Sequence, residues 1–308
     1  MNSSSFFAKI LLFGEYGIIK NSKGISIPLN LYSGALEIDE SLNDKIKSSN
    51  EQIKSFYDFL KSKFGNDQFN FKTFKSDIDD GLYFKSSIPF GYGVGSSGAL
   101  VAAIYEKYFL KKIKIEKKID AEKIIVLKNI FSKMESFFHG ESSGFDPINS
   151  YLSSSILIKS KNEIVTTAIP KQIKNGNQGF FLIDSGESSN TRIFVEKFIE
   201  LMKDNEFEKI FQNEFIEFTN SCIDDFLNSN FNSLKKNIKK LSKFTYDNFK
   251  DLIPKQFYLI WSEGLNSNDY YLKLCGSGGG GFILGFSSNL AKSQELLKEY
   301  NFKVVLTY

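Results

Sequence analysis

Apolar residues recur along the chain with two different periods. FFAKILLFGEYGIIK (6–20) and GISIPLNLYSGALEIDE (24–40) are rich in β-branched and aromatic residues and bounded by Gly and Asn, which predicts two strands joined at NSKG. NEQIKSFYDFLKSKF (50–64) predicts a helix, and FNFKTFKSDIDDGLYFKSSIP (69–89) alternates apolar with polar as a hairpin would. Further helices are expected from about Ser97 to Leu110 and across DAEKIIVLKNIFSKMESFFHG (120–140). In the latter, Ile124, Leu127, Phe131, Met134 and Phe138 recur at spacings of 3, 4, 3 and 4, one apolar stripe facing a core.

After SYLSSSILIKS and EIVTTAI, the polar, turn-rich PKQIKNGNQG (170–179) marks the expected domain boundary. Beyond it the pattern predicts a strand at FFLIDS, helices through about Leu265, a hairpin at YYLKLCGSGGGGFILGF, another helix and a final strand FKVVLTY. Runs of strands and runs of helices without strict βαβ alternation predict an α+β protein in two parts, 1–176 and 177–308.

Composition narrows the classes. At 308 residues the chain can bury a full core, and 42% hydrophobic with 24% charged residues reads as a globular protein. The densest basic run, LKKIKIEKKID, is broken by Glu116 and closed by Asp120. Together with a net charge of +3, this describes a solvated helix end rather than a nucleic-acid surface. Lys9 and Glu15 interrupt the first apolar stretch, and no apolar run approaches the about 18 residues of a membrane span, so a cytoplasmic protein without membrane partners is expected. Two cysteines, Cys222 and Cys275, without CxxC spacing argue against a disulfide frame or a structural zinc.

The chemistry gathers around glycines. IPFGYGVGSSGAL (88–100) places Gly91, Gly93 and Gly95 at alternate positions before Ser96, Ser97 and Gly98. GVGSSG satisfies GxGxxG, but Pro89 precedes the loop, and the region 20 residues on is basic and feeds a helix, so the dinucleotide reading fails on context. A Walker-A loop fails as well, for want of a Lys-Ser/Thr pair after the last glycine. The backbone physics survives both rejections: alternate glycines can turn N–H groups inward at a helix mouth, where the dipole favours a phosphate. The plain alternative is a tight strand-to-helix turn with a serine N-cap.

Two other stretches bear on that choice. KLCGSGGGGFILGF sets four consecutive glycines, Gly278 to Gly281, between apolar strands, where close approach of a backbone or ligand gives glycine a reason to be present. MESFFHGESSGFDP ends the striped helix. There Glu135, one residue past Met134, is expected to face the following loop, which carries Asp146, so that two carboxylates converge. An i, i+4 pair of Glu135 with His139 is the competing reading.

Together these motifs resemble the GHMP kinases, and within them the mevalonate kinases, over nearly the whole chain from Lys9 to about Phe286. AKILLFGEYGII resembles the first family motif, IPFGYGVGSSGAL the second, KLCGSGGGGFILGF the third. ESFFHGESSGFDP resembles the mevalonate kinase segment, and NTR (190–192) another shared piece. The resemblance implies an N-terminal domain like ribosomal protein S5 domain 2 and a ferredoxin-like C-terminal domain, with ATP, Mg²⁺ and a small-molecule acceptor as ligands, in a monomer or homodimer. By matching position, Gly91, Gly93, Gly95, Ser96, Ser97, Gly98, Gly278 and Gly279 would hold ATP, and Ser97 and Glu135 the metal. Asp146 would orient or deprotonate the acceptor hydroxyl with Lys9 beside it. Glu15, Tyr16, His139, Thr191, Arg192 and Gly276 would lie on the acceptor side.

The acceptor implied is mevalonate, phosphorylated on its 5-hydroxyl. Tyr16, where mevalonate kinases usually carry His, and Gly98 after the two serines point instead to phosphomevalonate kinases, whereas HGESSGFDP and the unbroken GGGG favour mevalonate. Galactokinases place an Asp shortly after the first motif, where this chain has the apolar GII, and homoserine kinases lack the catalytic Asp. A reading of another class is a nucleotide-binding protein that keeps the fold without catalysis.

Overall fold

The computed structural model describes residues 4–41, 43–115, 119–160 and 163–308, with the backbone alone at 45 and 139. Contacts divide the chain into two compact units. The first comprises Met1–Lys9, Pro28–Pro89 and Gly95–Ser154, and the second Ile10–Ile27, Phe90–Val94 and Ser155–Tyr308. Strands β1 (Phe6–Phe13) and β2 (Gly24–Ile38) belong in part to each.

In the first unit, helix α1 (Asp44–Lys63) starts where the Asn43 side chain accepts from the Ile46 N–H at 3.2 Å, a local N-cap. Helix α2 (Phe71–Asp79) and strand β3 (Leu82–Ser86) follow, β3 pairing antiparallel with residues 34–38 of β2. The hairpin expected over 69–89 is thus a helix and one strand. Phe71, Phe74 and Ile78 are all buried at a helical spacing, and Asn70 caps the Thr73 N–H, so the period of 3.6 wins over an alternation that Phe69 and Phe71 only begin.

Helix α3 (Ser96–Tyr108) packs against α4 (Ala121–His139) and α5 (Phe145–Leu152). The stripe read from sequence faces this core: Ile124, Leu127, Phe131 and Met134 are fully buried, and Tyr105 meets Phe131 and Tyr151 edge to face at 4.9 and 5.1 Å. Helix α5 was not expected. Its apolar residues Pro147, Ile148, Tyr151 and Leu152 are buried, and Pro147 lies in the first turn, where a missing N–H costs nothing. Asp146 therefore sits in the first turn of a helix rather than in a loop.

In the second unit, β1 ends at Phe13 instead of running on to residue 20. Tyr16 adopts φ 60°, which extended structure excludes, and a 3₁₀ turn occupies Gly17–Lys20. Strands β4 (Ile156–Ser160) and β5 (Glu163–Thr166) pair with each other, and β4 pairs with residues 24–26 of β2. After β6 (Gly179–Asp184) come α6 (Thr191–Leu201), α7 (Asn205–Ile210), α8 (Ile216–Leu227), α9 (Phe231–Asn248) and α10 (Tyr258–Ser267). Then β7 (Tyr270–Leu274) and β8 (Phe282–Ser287) form the expected hairpin, followed by α11 (Leu290–Leu296) and β9 (Lys303–Thr307). The sheet runs β7-β8-β6-β9, all antiparallel, with α9 and α10 against β7. Among the described residues no helix is long and apolar enough to cross a membrane.

Candidate functional site

The predicted acidic residues Glu135 and Asp146 both lie in the first unit, near enough for the charge of one to act on the other. Gly95, at φ 76°, is the N-cap of α3 and supplies no side-chain cap, so the serine N-cap alternative does not hold. The Ser97 hydroxyl instead donates to Glu135 Oε1 at 3.2 Å. A second donor, Ser142 Oγ, reaches Glu135 Oε2 at 2.5 Å and itself accepts from the Gly144 N–H. Sequence reasoning missed Ser142, although it lies inside the quoted HGESSGFDP; nothing in its spacing singles it out from Ser143.

Opposite lies Asp146, whose Oδ1 is 2.9 Å from Lys9 Nζ. The lysine side chain is 7% exposed and the aspartate side chain 38%, so a buried cation holds a carboxylate that still reaches solvent. Two glycines permit this approach. A Cβ at Gly95 would stand 2.9 Å from Lys9 Cγ, and one at Gly98 would stand 2.8 Å from the Asp146 carbonyl carbon.

Glu135 is 3% exposed. Burial, and next the charge of Asp146, push its carboxyl up to about 8, against the pull of Ser142, Ser97 and Lys9. A carboxylate and a hydroxyl converging here are hard oxygen donors, and a divalent cation would offset the burial that holds Glu135 protonated, so the residues fit Mg²⁺. Among the described residues there is no cluster of three or more His, Cys, Asp or Glu able to hold a metal by side chains alone. Such a set fits an ion shared with substrate phosphates. Along the preceding loop Gly91, Gly93 and Gly95 all have φ near 75°, so the alternate glycines are used as left-handed positions.

Most of the other residues named from sequence belong to the second unit. Glu15 is buried, with Oε1 2.6 Å from Lys273 Nζ, and Tyr16 is buried with its hydroxyl donating to the Ser277 carbonyl. Thr191 and Arg192 are exposed at the start of α6, where the Arg192 guanidinium meets Glu196. Gly276, Gly278 and Gly279 form the turn between β7 and β8, each with positive φ. His139 closes α4; its side chain, and with it the Glu135–His139 pair, lies outside the described residues.

No family model matches the sequence, and no curated protein matches it. Solved structures do match in fold. The L. major mevalonate kinase, crystallised with R-mevalonate, superposes with a TM-score of 0.66 at 14% identity, covering 99% of this chain and 96% of that one. The Methanococcus jannaschii mevalonate kinase gives 0.59 at 19% identity, covering 98% and 97%. The Streptococcus pneumoniae phosphomevalonate kinase with phosphomevalonate and AMPPNP gives 0.60 at 13%, covering 97% and 95%. The chain has the two-domain α+β fold of the GHMP kinases. Among the structures sharing it, mevalonate kinases and phosphomevalonate kinase both stand, at identities that distinguish neither.

Proposed function

We propose that this chain is an ATP-dependent small-molecule kinase that phosphorylates the 5-hydroxyl of mevalonate, a step of isoprenoid biosynthesis. The observation that carries the reading is the Lys9–Asp146 pair at 2.9 Å in the same unit as the Ser97–Glu135 contact. Phosphoryl transfer asks mainly for positioning and charge neutralisation, which these groups supply. Asp146, partly exposed, takes the proton of the acceptor hydroxyl. Lys9, fixed beside it, stabilises negative charge developing on that oxygen. Ser97 and Glu135 would hold Mg²⁺, which would supply neutralisation of phosphate charge. Main-chain amides from Gly91 to Gly98 seat the phosphates, with Gly278 and Gly279 assigned to the nucleotide by resemblance. The division at 176/177 belongs to the same reading.

Mevalonate is favoured by HGESSGFDP and the unbroken GGGG. The two residues that point to phosphomevalonate have tasks inside the protein: Tyr16 packs on Phe198 and bonds Ser277, and Gly98 makes room for Asp146. The test is ADP release from MgATP with mevalonate, phosphomevalonate, galactose and homoserine under identical conditions. Preference for mevalonate is expected. Preference for phosphomevalonate overturns the acceptor, and ATP binding without turnover on any acceptor leaves a non-catalytic nucleotide binder.

A further inference from the structure

The second unit contains a buried ion pair for which the proposed chemistry has no use. Lys273, on β7, and Glu15, in the turn after β1, have side chains only 6% and 7% exposed, and their charged atoms meet at 2.6 Å. Lys273 Nζ also donates to the Leu274 carbonyl. Beside the pair, the Tyr16 hydroxyl donates to the Ser277 carbonyl at 2.5 Å, and the Tyr16 ring stacks on Phe198 with centroids 4.5 Å apart. The cavity touching Glu15, Tyr16 and Lys273 measures about 10 Å³, which admits a water but no hydroxy acid. Glu15 and Tyr16 thus grip the protein.

What they grip is the glycine turn between β7 and β8, and that turn is itself pressed against the front of the glycine loop. A Cβ at Gly93 would lie 2.6 Å from the Cys275 carbonyl oxygen, and one at Gly281 would lie 2.5 Å from Tyr92 Cα. Tyr92 also packs edge to face on Phe282 at 5.0 Å. Main chain on main chain, residues 275–281 fix where residues 92 and 93 run.

We propose that Lys273 is a positioning residue for the nucleotide loop: its buried pair with Glu15, joined by the Tyr16–Ser277 bond, locks the turn after β1 to the glycine turn that seats Tyr92 and Gly93. A buried pair is a poor source of net stability, and its best-attested use is to fix register, since stranding either charge is costly. The kinetic side of this inference rests on the kinase reading; the structural side does not.

Removing one partner strands a buried charge and risks unfolding, so the informative variant removes both, Glu15→Gln with Lys273→Met, alongside Lys273→Met alone. Backbone hydrogen exchange without ligand is measured first. The double variant, melting cooperatively, is expected to exchange about tenfold faster across 90–94 as well as around 15–17 and 275–281. Acceleration confined to residues adjoining 15 and 273 overturns the lock. In turnover assays the KM for ATP is expected to rise about tenfold with kcat within about threefold, a split that lost stability alone does not produce. An unchanged KM for ATP in a variant that still turns over overturns the proposal. A wild-type protein that binds no ATP removes the kinase reading, while the exchange result still decides the lock.

Discussion

Lys9 and Asp146 meet at 2.9 Å, with the cation buried and the carboxylate more than a third exposed. This asymmetry suits the proposed roles. The lysine is buried beside the aspartate, whereas the aspartate, open to solvent, is free to exchange a proton with a bound hydroxyl. Asp146→Asn is expected to lower kcat by about 10²–10⁴-fold while ATP still binds, since an amide accepts no proton. Turnover and nucleotide binding measured on the same preparation check this; full activity would remove Asp146 from the mechanism.

Glu135 gives a prediction in pH. Burial pushes its carboxyl up to about 8, above the ordinary value near 4.5, so the folded protein binds the extra proton between these values. The contribution to stability is fully present below about pH 4.5 and is lost as pH rises through about 8 in the metal-free protein. Denaturant midpoints across that window are expected to fall with rising pH at this site, and Glu135→Gln is expected to flatten the dependence. By the same linkage, Mg²⁺ in the presence of ATP is expected to bind more weakly as pH falls below about 8, because the proton competes for the carboxylate. Titrations of Mg²⁺ at several pH values measure it.

Gly98 tests the packing beneath the site. Adding a methyl there puts a Cβ within 3.0 Å of the main chain of Asp146 and Pro147, and backbone must shift. Gly98→Ala is expected to cost about 1–3 kcal/mol as an overpacked contact and to reduce kcat more than the KM for ATP, since the displaced group is Asp146. A melt together with steady-state kinetics separates the two effects.

Arg192 supplies a contrasting case. Its side chain is 84% exposed and its Glu196 partner 61%, so the pair is screened by water. Arg192→Ala is expected to leave stability within about 1 kcal/mol. Any change in the KM for the acceptor would then report a contact with the acceptor rather than a disturbed fold.

Much of this was legible in the sequence because it rests on local signals. The stripe in α4 and the strong strands of the 270–286 hairpin have periods that no neighbour overrides. The position of Glu135 beside the stripe is legible, and the side chain is buried there, with Ser97 and Ser142 as its hydrogen-bond donors. Less legible were segments in which two periods compete. Over 69–79, Phe69 and Phe71 begin an alternation, and the burial of Phe74 and Ile78 at helical spacing from Phe71 decides against it. Helix α5 carries too few turns to announce itself. The partners of Glu15 and Tyr16 were beyond sequence reasoning for another reason: Lys273 and Ser277 lie more than 250 positions away, and pairing at that range leaves no local trace.

At Gly98 the helix of one serine motif touches the chain carrying Asp146 peptide to peptide, with no side chain between. The gap between the mouth of α3 and Asp146 is therefore set by the thickness of a polypeptide, a quantity that mutation of neighbouring side chains cannot alter. Such a spacing depends on one glycine and on main chain, so it is indifferent to the identity of the polar residues around it.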